Sequence, residues 1–331
     1  MVITKTPFRM SFFGGGTDYE EFFKEFGGSV ISTTFDRYCY VTVRHLPRFF
    51  DYSTRIAYSK VENVSSIDEI VHPSVRETMR FLDMKHLHVS YDADLPARTG
   101  LGSSSSFVVG MLNSFYAMEG KYVDKKRLAE EAIYIERTLC KEDGGIQDQI
   151  AAAYGGFNRL FFREDGFRVT PIVMREERKQ QLNENLMLFF TGFSRFSSDI
   201  AKSQKKATKS KIEELKHMLA LVDEAEKVLF DAKSDLNDFG RLLHESWTLK
   251  RGLTSDISND SIDVVYNRAL KSGALGGKLL GAGGGGFLLF YVEKDKQEKV
   301  RESLKDLLYV PFGFENDGSR VIYYAAEKYE S

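Results

Sequence analysis

One stretch constrains this chain more than any other: Pro96-Ala97-Arg98-Thr99-Gly100-Leu101-Gly102-Ser103-Ser104-Ser105-Ser106. A glycine-rich turn runs directly into hydroxyl residues. Phe107, Val108, Val109, Met111, Leu112, Phe115 and Tyr116 follow, enough apolar residues for a largely buried helix. A helix start leaves backbone N–H groups unpaired and carries a partial positive charge, so it favours an anion. Glycines let the backbone come close to that anion. The stretch reads as a phosphate cradle, which points to an enzyme that uses a nucleotide. Read alone, it also fits a serine-rich helix cap.

At 331 residues the chain is long enough for two domains. Hydrophobic residues make up 42%, which excludes a disordered chain. A net charge of −2 gives no reason to expect nucleic acid or an anionic membrane as partner, so any phosphate site is local. Two cysteines, Cys39 and Cys140, cannot build a disulfide framework or a Cys-based zinc site, and they suit a reducing cytoplasm. There is no basic-then-apolar leader and no run of 18 apolar residues, so neither a signal peptide nor a membrane span is expected.

Residues 1–13 read as a strand feeding a first glycine loop. Residues 30–43 and 86–91 suit strands. Asp124 is an N-cap for a helix running through Leu128, Ala132, Ile133, Ile135 and Leu139. A short helix over 147–153 ends at Gly155-Gly156. Residues 157–173 look like a hairpin turning at Asp165-Gly166. The polar stretch 175–181 is the candidate boundary, dividing the chain into 1–175 and 182–331. Beyond it, 186–191 reads as a buried strand. Helical spacing runs through Ile212, Leu215, Leu219, Val222 and Leu229. Further helices are expected over 236–251, 262–270 and 296–308, and strands over 287–292 and 321–326.

Two other glycine clusters accompany the first. One is Pro7-Phe8-Arg9-Met10-Ser11-Phe12-Phe13-Gly14-Gly15-Gly16-Thr17-Asp18. The other is Gly276-Gly277-Lys278-Leu279-Leu280-Gly281-Ala282-Gly283-Gly284-Gly285-Gly286. Gly281, Gly283 and Gly286 formally fit G-x-G-x-x-G, but the loop leads into a strand where a dinucleotide fold needs a helix. No G-x-x-x-x-G-K-[ST] occurs, and His244-Glu245 lacks the second histidine of a metalloprotease.

In order, spacing and chemistry the three clusters resemble the GHMP kinase superfamily of galactokinases, homoserine kinases and mevalonate kinases, over nearly the whole chain. The resemblance implies a two-domain α+β fold: an N-terminal α/β nucleotide-binding domain and a C-terminal ferredoxin-like domain, with the active site between them. It also implies ATP and Mg2+ as cofactors. Pro96, Gly100, Leu101, Gly102, Ser103, Ser104 and Ser105 are then the nucleotide-binding residues.

Phosphoryl transfer needs a metal, a positive clamp and a group that orients the attacking hydroxyl. Gly145-Ile146-Gln147-Asp148-Gln149 resembles the segment whose aspartate is the family's catalytic base, so Asp148 takes that role. Arg9 matches the basic residue of the first motif. An arginine beside a carboxylate favours its charged form and stabilises charge in transfer. Glu136 and Ser104 match the family's metal ligands, although spacing alone does not choose among Ser103, Ser104 and Ser105.

Gly15, Gly16, Thr17 and Asp18, with Gly283 and Gly284, are the expected acceptor-binding residues. Galactokinases and mevalonate kinases carry a Glu-His pair where this chain has Gly15-Gly16. That departure resembles the branch of anomeric sugar kinases that includes the D-glycero-D-manno-heptose 7-phosphate kinases. The implied acceptor is then a heptose 7-phosphate, converted to the 1,7-bisphosphate. Alternatives are an unphosphorylated sugar such as fucose, or a sugar sensor on the same fold. A phosphorylated acceptor needs a second anion site. Arg195 is its first candidate, with Arg37, Lys250 and Arg251 behind it. A monomer or homodimer is expected.

Overall fold

The computed structural model describes residues 1–97, 99–192 and 197–326. Its strands in chain order begin β1 (Val2–Phe13), β2 (Gly28–His45), β3 (Thr54–Ala57), β4 (Val61–Val64), β5 (Leu87–Ala93), β6 (Phe157–Arg163) and β7 (Gly166–Pro171). They continue as β8 (Leu186–Phe190), β9 (Ala274–Leu279), β10 (Phe287–Val292), β11 (Leu308–Val310), β12 (Phe314–Glu315) and β13 (Arg320–Tyr324). The helices of the first half are α1 (Glu20–Phe26), α2 (Pro73–Phe81), α3 (Ser103–Met118), α4 (Lys125–Ile133) and α5 (Gln147–Tyr154). Next come α6 (Glu176–Glu184), α7 (Ser197–Ala207), α8 (Ile212–Phe230), α9 (Asn237–Arg251), α10 (Asp260–Ser272) and α11 (Gln297–Ser303).

The first sheet runs β13-β1-β2-β5-β3-β4, with β6, β7 and β12 joined through β2. The 18 residues of β2 serve different partners: Gly28–Thr33 pairs with β6 and Cys39–His45 with β5. The second sheet runs β11-β8-β10-β9, antiparallel throughout. Counted within that sheet the order is 4-1-3-2, the split βαβ arrangement of ferredoxin-like domains. Residues 321–324, read from sequence as a strand of the second half, instead pair with β1 in the first sheet. The polar stretch 175–181 is folded mostly into α6 rather than a linker, because Leu182 on its one apolar face is buried.

The two sheets share a core. From Thr6 onward every residue of β1 is buried. α3 covers one face of β1 and β2, and Thr4 Oγ1 donates to the Gly110 carbonyl at 2.9 Å. On the other face Phe12 and Phe13 meet Phe239 of α9 edge-on, with ring centroids 5.4 and 5.1 Å apart. Arg159 of β6 donates to Asp223 at 2.6 Å and Glu226 at 2.5 Å, both on α8, and so ties the halves electrostatically.

Truncating Phe239 removes a fully buried ring at this junction. Phe239→Ala is expected to cost about 3–5 kcal/mol, read as a lower urea midpoint by circular dichroism.

Candidate active site

The phosphate loop is held in a shape that needs glycine. Gly100 and Gly102 have φ of +82° and +76°, the left-handed region that side chains rarely adopt. Thr99 Oγ1 closes the turn on the Pro96 carbonyl at 2.8 Å. Leu101 points into the core, while Pro96 and Ser104 are exposed. α3 then starts at Ser103 with no side-chain cap, Gly102 standing at the N-cap. Its first-turn amides therefore face the loop as anion donors.

The Arg9–Asp148 pair lies directly against this loop. Arg9 Nε and Nη2 donate to the two Asp148 carboxylate oxygens at 2.7 and 2.8 Å. Its Nη1 donates to the Gly100 carbonyl at 2.7 Å. A Cβ on Gly102 would sit 3.2 Å from Arg9 Cγ and 3.5 Å from Asp148 Oδ2. Arg9 is buried and the Asp148 side chain is 24% exposed, so the carboxylate has an open side. The fork of a guanidinium on a carboxylate fixes orientation as well as charge. Asp148 sits in the first turn of α5, where the helix dipole also favours a carboxylate.

Asp18 forms the adjoining wall. It accepts from the Gly16 amide and from Gln147 Nε2, both at 2.9 Å. Gly145 is obligatory here, because a Cβ would lie 1.8 Å from Asp18 Oδ2. Burial raises the Asp18 carboxyl above its usual range, opposed by the Gly16 amide, with the nearby Asp148 charge adding to the rise. Thr17 contributes differently from its neighbours: its hydroxyl donates to the carbonyls of Gly14 at 2.8 Å and Ser29 at 3.0 Å. It shapes the loop. Ser11 Oγ and Gln147 Oε1 are buried with no partner among the described residues. The two side chains flank the space over Gly15, where an added Cβ would be 3.9 Å from Ser11 Oγ and 4.0 Å from Gln147 Nε2. Sequence reading did not single out either residue, although Gln147 directly precedes Asp148.

Glu136 is fully buried. The helix begun at α4, capped as expected by Asp124, widens into a π turn over Tyr134–Leu139. The Cys140 amide accordingly bonds to the Ile135 carbonyl at 2.8 Å, and such turns re-aim side chains. Glu136 Oε2 accepts from Ser105 Oγ at 2.7 Å and from Gln149 Nε2. The serine bonded to Glu136 is therefore Ser105, while Ser104, the expected metal ligand, faces outward, because a helix turns about 100° per residue. Glu136 Oε1 is buried without a partner among the described residues. A carboxylate with an unfilled oxygen behind a phosphate loop fits a hard cation that takes its other oxygens from phosphate and water.

The third cluster closes over the first. Gly283 and Gly284 pack on Ile257, whose carbonyl accepts from the Gly284 amide at 3.0 Å. Gly286 and Thr191 exchange hydrogen bonds. Of the candidates for a second anion site, Arg37 is bonded to Asp36 and Pro311, and Arg251 pairs with Asp263 at 3.3 Å. Lys250 is buried at the site. Arg195 lies outside the described residues.

The sequence matches the signature of the "GHMP kinases N terminal domain" over residues 69–156 and that of "GHMP kinases C terminal" over 218–310. A D-glycero-alpha-D-manno-heptose 7-phosphate kinase of Campylobacter jejuni is 30% identical, covering 95% of this chain and 97% of its own. The chain belongs to the GHMP kinase family. It is an ATP-dependent small-molecule kinase, and its heptose kinase relatives make it a sugar kinase. The solved structure of a D-glycero-D-manno-heptose 1-phosphate kinase from Bacteroides thetaiotaomicron superposes with a TM-score of 0.80 at 26% identity, covering 98% of this chain and 100% of that one. A Bacteroides fragilis L-fucokinase/L-fucose-1-P guanylyltransferase is 28% identical over 65% of this chain but only 23% of its own length.

Asp148→Asn is expected to leave the fold and ATP binding intact and to lower turnover by roughly 100-fold or more, the usual weight of a positioned base. Steady-state kinetics alongside a thermal melt check it; near-wild-type turnover removes Asp148 from the chemistry. Glu136→Gln and Ser105→Ala should each raise the magnesium concentration needed for half-maximal activity, and an unchanged midpoint in both would refute the metal assignment.

Proposed function

We propose that this kinase phosphorylates the anomeric hydroxyl of D-glycero-D-manno-heptose 7-phosphate, giving the 1,7-bisphosphate for nucleotide-activated heptose and surface glycan synthesis. The observation that carries this reading is the identity of 30% with a heptose 7-phosphate kinase over almost the full length of both chains. The glycine at Gly15 supports it, because it leaves room beside Ser11 and Gln147 for a polyhydroxyl ring. Buried polar groups without a protein partner favour a ligand that satisfies them.

In this reading ATP lies with its phosphates on the first turn of α3. Asp18, Gln147 and Ser11 hold sugar hydroxyls, with Gly283 and Gly284 at the rim. Asp148 accepts the proton of the attacking hydroxyl as its oxygen bonds to the terminal phosphorus and the bond to ADP breaks. Arg9 orients Asp148 and offsets the charge that develops. Glu136 with Ser105 or Ser104 would hold a Mg2+ ion, which would neutralise the phosphate oxygens. Arg195 is our candidate for the distal phosphate. The two free cysteines suit a cytoplasmic setting.

ADP release with a panel of sugars and sugar phosphates tests the proposal. Charge-assisted hydrogen bonds of about 1.5–3 kcal/mol each predict a preference for heptose 7-phosphate over free heptose of roughly ten- to over a hundred-fold in kcat/KM. Equal kcat/KM for the two favours a kinase of unphosphorylated sugar. Loss of the preference in Arg195→Ala, with activity on free heptose retained, would assign the clamp.

A further inference from the structure

Two lysines of the second half are buried in the wall of this site without an anionic partner among the described residues. Lys250, on α9, is 5% exposed and Lys278, on β9, is 2% exposed. Lys250 Nζ donates to the Gly281 carbonyl, and Lys278 Nζ to the Phe12 carbonyl at 2.8 Å. Among the described residues each makes that single hydrogen bond and no ion pair. An ammonium carries three donors, so each has two more than the protein uses. Lysine is almost never fully buried unless it is paired.

The surroundings make the absence of a counter-ion pointed. The charged groups that face Lys250 are Arg9 on β1, Lys278 on β9, Asp18 in the first glycine loop and Asp148 on α5. Asp148 already gives both carboxylate oxygens to Arg9. Asp18 is engaged by Gly16 and Gln147. Both carboxylates near the lysines are thus already engaged by other groups. Gly281, whose carbonyl receives Lys250, packs against Gly100 of the phosphate loop, whose own carbonyl receives Arg9.

We infer that Lys250, backed by Lys278, is a seat for a substrate phosphate group, whose anionic oxygens take the donors that the protein leaves unused. The inference rests on the kinase reading of this same site. The phosphate has two possible sources, the terminal group of ATP or the group carried by the acceptor sugar. Electrostatics agree with a site completed by its ligand. Burial first, then Arg9, pushes Lys250 down to about 8, while Asp18 and Asp148 oppose the fall. Burial, then Lys250 and Arg9, lower Lys278 well below its ordinary value. The charged ammonium binds the anion, so phosphate affinity is full below that value. It declines as pH rises through it, approaching tenfold per pH unit for one linked proton. Arginine in place of Lys250 would stay charged throughout.

Equilibrium titrations of the full chain with ATP, ADP, heptose 7-phosphate and free heptose, from pH 7 to pH 9.5, test this without turnover. Lys250→Met should lose roughly tenfold or more in affinity for a phosphate ligand. If the loss erases the preference for ATP over ADP, the seat holds the terminal phosphate. If it erases the preference for heptose 7-phosphate over heptose, the seat holds the acceptor's phosphate. Lys250→Arg should retain binding and abolish the decline above pH 8. Wild-type affinities for all four ligands in Lys250→Met overturn the inference, and so does an unchanged decline in Lys250→Arg, which remains readable if Lys250→Met does not fold. A wild-type protein that binds ATP but releases no ADP with any sugar overturns the kinase reading instead.

Discussion

Everything at the candidate site depends on a contact between two stretches of bare backbone. A Cβ on Gly100 would lie 2.3 Å from the Leu280 carbonyl oxygen, and one on Gly281 would lie 2.3 Å from Gly100 Cα. Nearby, a Cβ on Gly286 would lie 2.2 Å from the Thr99 carbonyl oxygen. Only glycines allow the phosphate loop and the third glycine loop to touch in this way, since real Cβ atoms do not tolerate such distances. The glycines that shape the anion cradle are thus also the ones that let the second half close on it.

A cation stands behind each side of that contact. Arg9 holds the Gly100 carbonyl and Lys250 the Gly281 carbonyl. The loops are therefore coupled to charges that also belong to the chemistry. Moving either loop moves a guanidinium or an ammonium relative to Asp148, and transfer reactions are sensitive to shifts of about 1 Å in such groups.

The protein treats its buried cations in two ways. Arg159, linking β6 to α8, is matched by Asp223 and Glu226 and also donates to Ser29 Oγ. It is a joint, fully compensated within the protein. Lys250 and Lys278 have no ion-pair partner among the described residues. Buried ion pairs left incomplete are costly, and the uncompensated ones lie beside Arg9 and Asp148 rather than scattered through the core. The same contrast holds for neutral groups: Thr17 is satisfied by its own loop, while Ser11 and Gln147 are not.

Much of this was legible in the chain. Long helices such as α8 and α9 follow from apolar spacing, α3 from the apolar residues after the glycine turn, and β8 and β10 from unbroken apolar runs. Asp148, Arg9, Asp18 and Glu136 were legible from the motifs that contain them. Short elements such as β3, β4, α1 and α2 were not, because too few residues carry a period. By itself the sequence determined which local conformations are possible, since glycine freedom, helix caps and hydrophobic period act over a few residues. Only the tertiary structure decided which sheet takes β13, which serine meets Glu136, and that Lys250 and Lys278 are buried beside Arg9. Each of these depends on partners far away along the chain, or on a π turn that shifts the helical register, and neither is encoded in local spacing.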